Sequence, residues 1–168
     1  MSEIRIYVAC LAAYNGGVLH GRWIDATQGE SGIWDDVQAM LKASPEEDAE
    51  EWAIHDYEGF EGIQISEHEG FDTVAEYAAF IEERGVLGSL LIDHCGGVEA
   101  AKTALEDHYS GEYESISDFA EQLTEETTSV PDSLAFYIDY EKMGRDLERC
   151  DVFTLETAFR EVHVFWNH

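Results

Sequence analysis

A chain of 168 residues, 45% hydrophobic and 12% aromatic, can bury a core, and it is too apolar for a disordered acidic tail despite a formal charge of −28. With 37 acids against 9 bases it would repel nucleic acid rather than bind it. No run reaches the roughly eighteen apolar residues of a membrane span, and the start MSEIRIYVACLAAYNGG lacks the basic and long apolar regions of a signal peptide, so a cytoplasmic protein is expected.

In chain order, IRIYVACLA (4–12) and VLHGRWI (18–24) are β-rich runs, and Tyr14-Asn15-Gly16-Gly17 between them predicts a hairpin turn. Trp34, Val37 and Leu41 fall at helical spacing before Ser44-Pro45, and EWAIHDY predicts a third strand. Val74, Tyr77, Ala78 and Ile81 form the i, i+3, i+4, i+7 stripe of an amphipathic helix that should end at Gly85. VLGSLLIDHC and GVEAAKTALEDH predict two short helices parted by Gly96-Gly97. Ile116, Phe119, Ala120 and Leu123 repeat the stripe, Val130-Pro131-Asp132 restarts a helix, and DVFTLET and EVHVFW predict a closing strand pair. HDYEGFEG…FDTVAEYAAFIEE is faintly echoed by DHYSGEYESISDFAEQLTEE, too weakly to mark a duplication.

The charge runs along the whole chain: 13 acids and 3 bases in residues 1–61, 8 and 2 in 62–104, and 16 and 4 in 105–168. Residues 43–83 and 103–141 contain no Lys or Arg, so these windows cannot neutralise themselves locally. The densest stretch, PEEDAEEWAIHDYEGFE, holds Glu46, Glu47, Asp48, Glu50, Glu51, Asp56, Glu58 and Glu61. Asp72, Glu76 and Glu83 flank the first helical stripe, and Asp118, Glu121 and Glu125 lie off the second. Like charges at i, i+3 or i+4 repel by a few tenths of a kcal/mol each, and no interspersed lysines relieve them here.

Sites for chemistry are missing from the pattern. There is no phosphate-binding glycine loop, no zinc-hydrolase helix motif and no nucleophile elbow, and the seven histidines form no ligand spacing with cysteine or with one another. Cys10, Cys95 and Cys150 are too far apart for a CxxC pair and are expected as reduced, mostly buried thiols. His94-Cys95 resembles an activated thiol, yet neighbouring helical residues point about 100° apart and Gly96 fits a helix C-cap. Acid pairs such as Asp35-Asp36, Glu82-Glu83 and Glu125-Glu126 are best read as solvated faces, since catalytic carboxylates need unlike environments. Trp23, Trp34, Trp52 and Trp166 are expected as core and interface anchors. No cofactor, metal or catalytic residue is predicted.

So large a net charge destabilises the compact state by self-repulsion, which calls for a functional reason. Haloadaptation, binding of a basic protein or cation, and imitation of a polyanion all remain open, with an acidic enzyme the least supported. Twenty-eight charges match about 48 Å of B-DNA, or about 14 base pairs, at one charge per about 1.7 Å. A compact chain of this length would be about 40 Å across, so the linear densities are comparable.

RIYVACLAAYNGGVLHGRWID, LLIDHCGG, YIDYEKMGRDLE and EVHVFWNH together resemble the ArdA family of antirestriction proteins over essentially the whole chain. The resemblance implies an α+β fold, an elongated chain of three small domains: an N-terminal β-sheet and helix domain (1–61), a helical middle (62–104) and a C-terminal α+β domain (105–168). It further implies a homodimer that mimics B-form DNA and occupies the DNA-binding channel of type I restriction-modification enzymes, protecting incoming mobile DNA during conjugation. On that reading the eight acids of the densest stretch, then Glu67, Glu69, Asp72, Glu76 and Glu83, then Glu106, Asp107, Glu112, Glu114, Asp118, Glu121, Glu125 and Glu126, stand in for phosphates. The partners expected are the methyltransferase core and the full restriction complex, and neither nucleic acid nor membrane.

Overall fold

The computed structural model describes residues 3–167; Met1, Ser2 and His168, at the ends of the two terminal segments read above, lie outside the described residues. The fold is α+β, with two small antiparallel three-stranded sheets, and the chain divides into two compact units, Met1–Val98 and Glu99–His168. The sequence division at 61/62 falls inside the first unit, between its last strand and its longest helix.

In the first unit β1 (Arg5–Cys10) lies between β2 (Gly21–Asp25) and β3 (Trp52–Glu58), antiparallel to both. A short helix, α1 (Leu11–Asn15), occupies the β1–β2 connection, so Asn15-Gly16-Gly17 is not the tight hairpin turn expected from the sequence. Those residues cap the helix instead. Gly17 has φ +85°, its N–H donates to Tyr14 O (3.0 Å), and the Val18 N–H donates to Ala13 O (2.9 Å), a Schellman pattern. Asn-Gly favours left-handed backbone, which serves either geometry, and Leu11-Ala12-Ala13 tips the choice towards helix.

Helix α2 (Glu30–Lys42) covers the sheet with Ile33, Val37, Met40 and Leu41; of the residues whose spacing predicted it, Val37 and Leu41 are buried and Trp34 is half-buried. The last helix of this unit, α3 (Phe71–Cys95), is broken at Gly85, where φ 65° and ψ −147° are accessible only to glycine. The amphipathic stripe therefore ends where the sequence placed it, and a second helical stretch runs on to Gly96, a left-handed C-cap donating to Ile92 O. Trp52 stacks on Phe71 (4.3 Å, 27°) while Trp34 meets both edge-on, joining β3, α2 and α3 in one aromatic cluster.

The second unit is built on the sheet order β4-β6-β5, with β4 (Tyr109–Tyr113), β5 (Val152–Ala158) and β6 (Glu161–Trp166). The closing strand pair was legible. The third strand, β4, was not, because Ser110-Gly111 within YSGEY signals a turn; here it forms a bulge that shifts the register between Tyr109 and Gly111. Helix α4 (Val98–Thr103) and a wide turn (Ala104–His108) lead into it.

Helix α5 (Ile116–Thr127) starts at Ser115, whose Oγ accepts the Asp118 N–H. The helix restarted at Pro131 is a single turn, α6 (Asp132–Ala135), and α7 (Tyr140–Cys150) begins anew at Asp139, whose carboxylate accepts the Lys142 N–H (3.0 Å). Phe119, Val152 and Val164 form the centre of this core, packed by Tyr113, Ile116, Leu123, Leu147, Val162 and Trp166. On the other face of the sheet Phe165 is stacked by Phe153 (4.9 Å, 5°) and approached by Tyr109.

Phe119→Ala removes the largest side chain at the centre of a thin core. It should lower stability by about 3–5 kcal/mol, measured by urea unfolding. His163 on β6 has its Nδ1 at 2.7 Å from the Tyr109 hydroxyl and its Nε2 at 3.2 Å from Thr157 Oγ1. Burial pushes its pKa below 6.5, partly offset by Glu112 and Glu161. The unfolded chain then takes up the proton first, so the His163 contribution is complete above pH 6.5 and is lost as pH falls from there towards the depressed folded value. His163→Gln should remove that component, so the difference in unfolding free energy between wild type and variant should shrink between pH 7 and pH 5.5.

Candidate functional site

The acids define a surface rather than a cleft. Asp36, Glu69 and Asp151 are half-buried, every other Asp and Glu is exposed, and none enters a core. A carboxylate without a partner is too costly to bury, and nine bases cannot partner thirty-seven acids, so the helices and strands turn them all to water.

In the first unit Glu46, Glu47, Asp48, Glu50 and Glu51 occupy the α2–β3 loop, which Ser44 holds by accepting the Glu46 N–H (3.2 Å) and lying 3.3 Å from Cys10 Sγ. On β3 a bulge changes the register between Tyr7 and Val8, pairing Tyr7 with Asp56 and Val8 with Ile54. His55 is thereby skipped, Ile54 stays in the core, and His55 and Asp56 both face solvent. Asp48 and Glu61 take left-handed turns (φ 56° and 50°). Glu67 is drawn beside the strand because its carbonyl accepts the Ile54 N–H (2.8 Å). Along α3 Asp72, Glu76 and Glu83 return to within about 40° of one another and are all exposed, a stripe spaced by about 6 and 10 Å.

In the second unit Glu106 and Asp107 lie in the turn before β4, Glu112 on β4 and Glu114 just after it. Asp118, Glu121, Glu125 and Glu126 line the wet side of α5, one charge per about 4.5 Å of a helix about 18 Å long, against one per about 3.4 Å along a single DNA strand. Thirteen of the twenty-one sequence-selected acids therefore belong to the first unit and eight to the second.

Few cations answer them. Among the described residues Arg and Lys approach a carboxylate at Glu58, paired with Arg5 at 2.8 Å, and at Glu3 and Glu83, 3.7 Å from Arg5 and Arg84. Glu58 is thus partly neutralised across the β1–β3 ladder, whereas the Glu46–Glu51 loop has no such partner among the described residues. The field is felt by neighbouring groups: the Tyr77 phenol is pushed above 10 by burial and then by Glu69 and Glu76, and Tyr109 by burial, Glu112 and Tyr113.

Among the described residues no three His, Cys, Asp or Glu side chains converge as metal ligands, so the acids are spread rather than focused. A cleft of about 420 Å³ lined by Glu3, Arg5, Trp23, Asp25, Thr27 and Glu82 is occupied at its cationic end by Arg5, whose guanidinium lies 4.5 Å over the Trp23 ring. Cys10 is buried and burial raises the half-buried Cys95 thiol, which fits an inert thiol; Cys150, contrary to the sequence expectation, is exposed on the last turn of α7. No helix of the described residues is long and apolar enough to cross a membrane.

Two features escaped sequence reasoning. Glu99, Asp132, Asp139 and Glu141 are exposed like the selected acids, and their off-stripe positions were the available signal; Asp35 and Glu82, read from the sequence as parts of solvated pairs, are exposed as expected. Large apolar side chains also face solvent: Tyr14, Val18 and Leu19 in the β1–β2 connection, and Leu134, Phe136 and Tyr137 around α6. Nothing in the sequence pattern marked these as uncovered.

No curated protein matches the chain in sequence. The sequence model of the family described as Antirestriction protein (ArdA) matches residues 6–161, from β1 to the first residue of β6, and so takes in both units and all twenty-one of these acids. The chain belongs to the ArdA family of antirestriction proteins.

Proposed function

We propose that this antirestriction protein works as a DNA mimic: it occupies the DNA-binding channel of type I restriction-modification enzymes and so protects incoming mobile DNA in the cytoplasm. The observation that carries the proposal is the spread of exposed, largely unpaired carboxylates over both units, which along α5 reaches a spacing close to that of phosphates. A channel built for DNA is lined with Lys and Arg, because phosphate contacts dominate affinity. Carboxylates at similar density meet the same cations, and a folded surface loses little ordering entropy on binding. Lacking bases, the mimic competes whatever recognition sequence the enzyme reads. Occupancy rather than bond chemistry is the mechanism, so no single acid is indispensable and no cofactor enters.

Within this reading the three-domain division at 61/62 and 104/105 separates successive acidic segments, and the active species is a homodimer carrying about 56 net charges, equivalent to about 95 Å of duplex. Leu134, Phe136 and Tyr137 support a self-contact, since Phe136 is 97% and Tyr137 84% exposed in the single chain. Sedimentation equilibrium should show a dimer for the wild type and a monomer for the Phe136→Ser, Tyr137→Ser variant; a wild-type monomer at micromolar concentration would remove this part of the proposal.

The inhibitory step is tested by titrating the protein into a type I methyltransferase core, or the full complex, bound to labelled DNA at several salt concentrations. DNA release should be independent of its sequence and weaken as salt rises. Replacing Glu46, Glu47, Glu50 and Glu51 together by Gln should weaken displacement on the order of tenfold and flatten its salt dependence, while any one replacement changes it by about twofold. Folded protein that displaces no DNA at large excess would overturn the reading, and a halophile would instead unfold at ordinary ionic strength.

A further inference from the structure

Polyanion mimicry explains the carboxylates and leaves the apolar part of the surface unused. In the β1–β2 connection Tyr14 is 54% and Leu19 68% exposed, with Val18 beside them, in a chain whose other Ile, Val and Leu side chains, apart from Val86 and Leu134, are buried or half-buried. This connection is held firmly. The Schellman cap fixes Gly17 and Val18 against α1, the Cys10 N–H donates to His20 O (2.8 Å), and His20 Nε2 lies 2.8 Å from Met40 O. Ala13 is fully buried underneath.

The same connection is fastened to the densest acidic segment. The Leu11 N–H donates to Glu51 O (3.0 Å), the Tyr14 ring meets His55 edge-on at 4.9 Å, and a methyl on Gly16 would stand 3.2 Å from the Glu46 carboxylate. An ordered apolar knuckle thus stands directly beside the α2–β3 loop, which holds five acids without an Arg or Lys partner among the described residues.

We infer that Tyr14, Val18 and Leu19 form an apolar anchor for the cationic protein surface that the adjacent carboxylates attract; the inference rests on the proposed function and deepens it. Charge complementarity selects the occupant. A nucleic acid, an anionic membrane or a second copy of this chain would bring further negative charge against Glu46, Glu50 and Glu51, whereas a Lys- and Arg-lined channel supplies cations for the acids and aliphatic side-chain stems for the knuckle. Because the connection is already ordered, little entropy is lost on contact, and its aromatic member is of the type that dominates interface energetics. Apolar contact is not screened by salt, so the anchor supplies the share of affinity that survives at high ionic strength.

The test compares three proteins in the DNA-displacement assay: wild type, Tyr14→Ser with Leu19→Ser, and Leu19→Ser alone as the milder change, each first shown by thermal unfolding to be folded. The double variant should lose on the order of tenfold in displacement at every salt concentration, with the single variant between, and both should keep the wild-type salt slope. That signature is the opposite of the one expected for the acid-to-amide variant. Wild-type displacement matched by both folded variants would overturn the anchor while leaving mimicry intact, as would a variant whose only change is its association state. Failure of the wild type itself to displace DNA would remove the proposed function, and the anchor with it.

Discussion

Carboxylate solvation is the constraint on which the rest of this structure depends. With more than four acids for every base, internal pairing is impossible, and a charged group taken from water without a partner costs several kcal/mol. The cores are accordingly made of Ile, Val, Leu, Phe and Ala, with Ser89 the buried polar residue among the described residues, its hydroxyl donating to Val86 O (2.8 Å). Two small three-stranded sheets, each covered by helices, offer a large exposed area for every buried residue, which suits a chain whose main requirement is to keep its charges wet.

The local irregularities serve the same constraint. The bulge at His55 lets Ile54 stay inside while Asp56 turns outward, and the bulge before Gly111 shifts the strand that presents Glu112. Both occur on edge strands, β3 and β4, where a row of free backbone groups would otherwise invite pairing with another chain. Carboxylates on Asp56, Glu58 and Glu112 make such pairing unfavourable between like-charged edges.

On the proposed mechanism, Coulomb attraction gathers the protein onto a cationic channel and apolar contacts hold it there. The two contributions respond differently to salt, and they come from different residues of the same neighbourhood: the loop of residues 46–51, and the β1–β2 connection hydrogen-bonded to it. A rigid scaffold beneath both means that the charge pattern is set before the target is met.

Local sequence was enough for the secondary elements with strong periodicity, the break in α3 at Gly85 and its end at Gly96, the family, and the placing of the acids on wet faces. The elements, the two glycine positions and the exposure of the acids follow from local periodicity, backbone freedom or the cost of burying charge, while the family rests on the sequence match over residues 6–161. Contacts between segments far apart in the chain were needed to make YSGEY a strand and to spend Arg5 on Glu58 across the sheet. The tertiary structure alone shows that Tyr14, Val18, Leu19, Phe136 and Tyr137 stay uncovered. An apolar residue looks the same in sequence whether or not another element covers it, because burial depends on contacts between segments far apart in the chain.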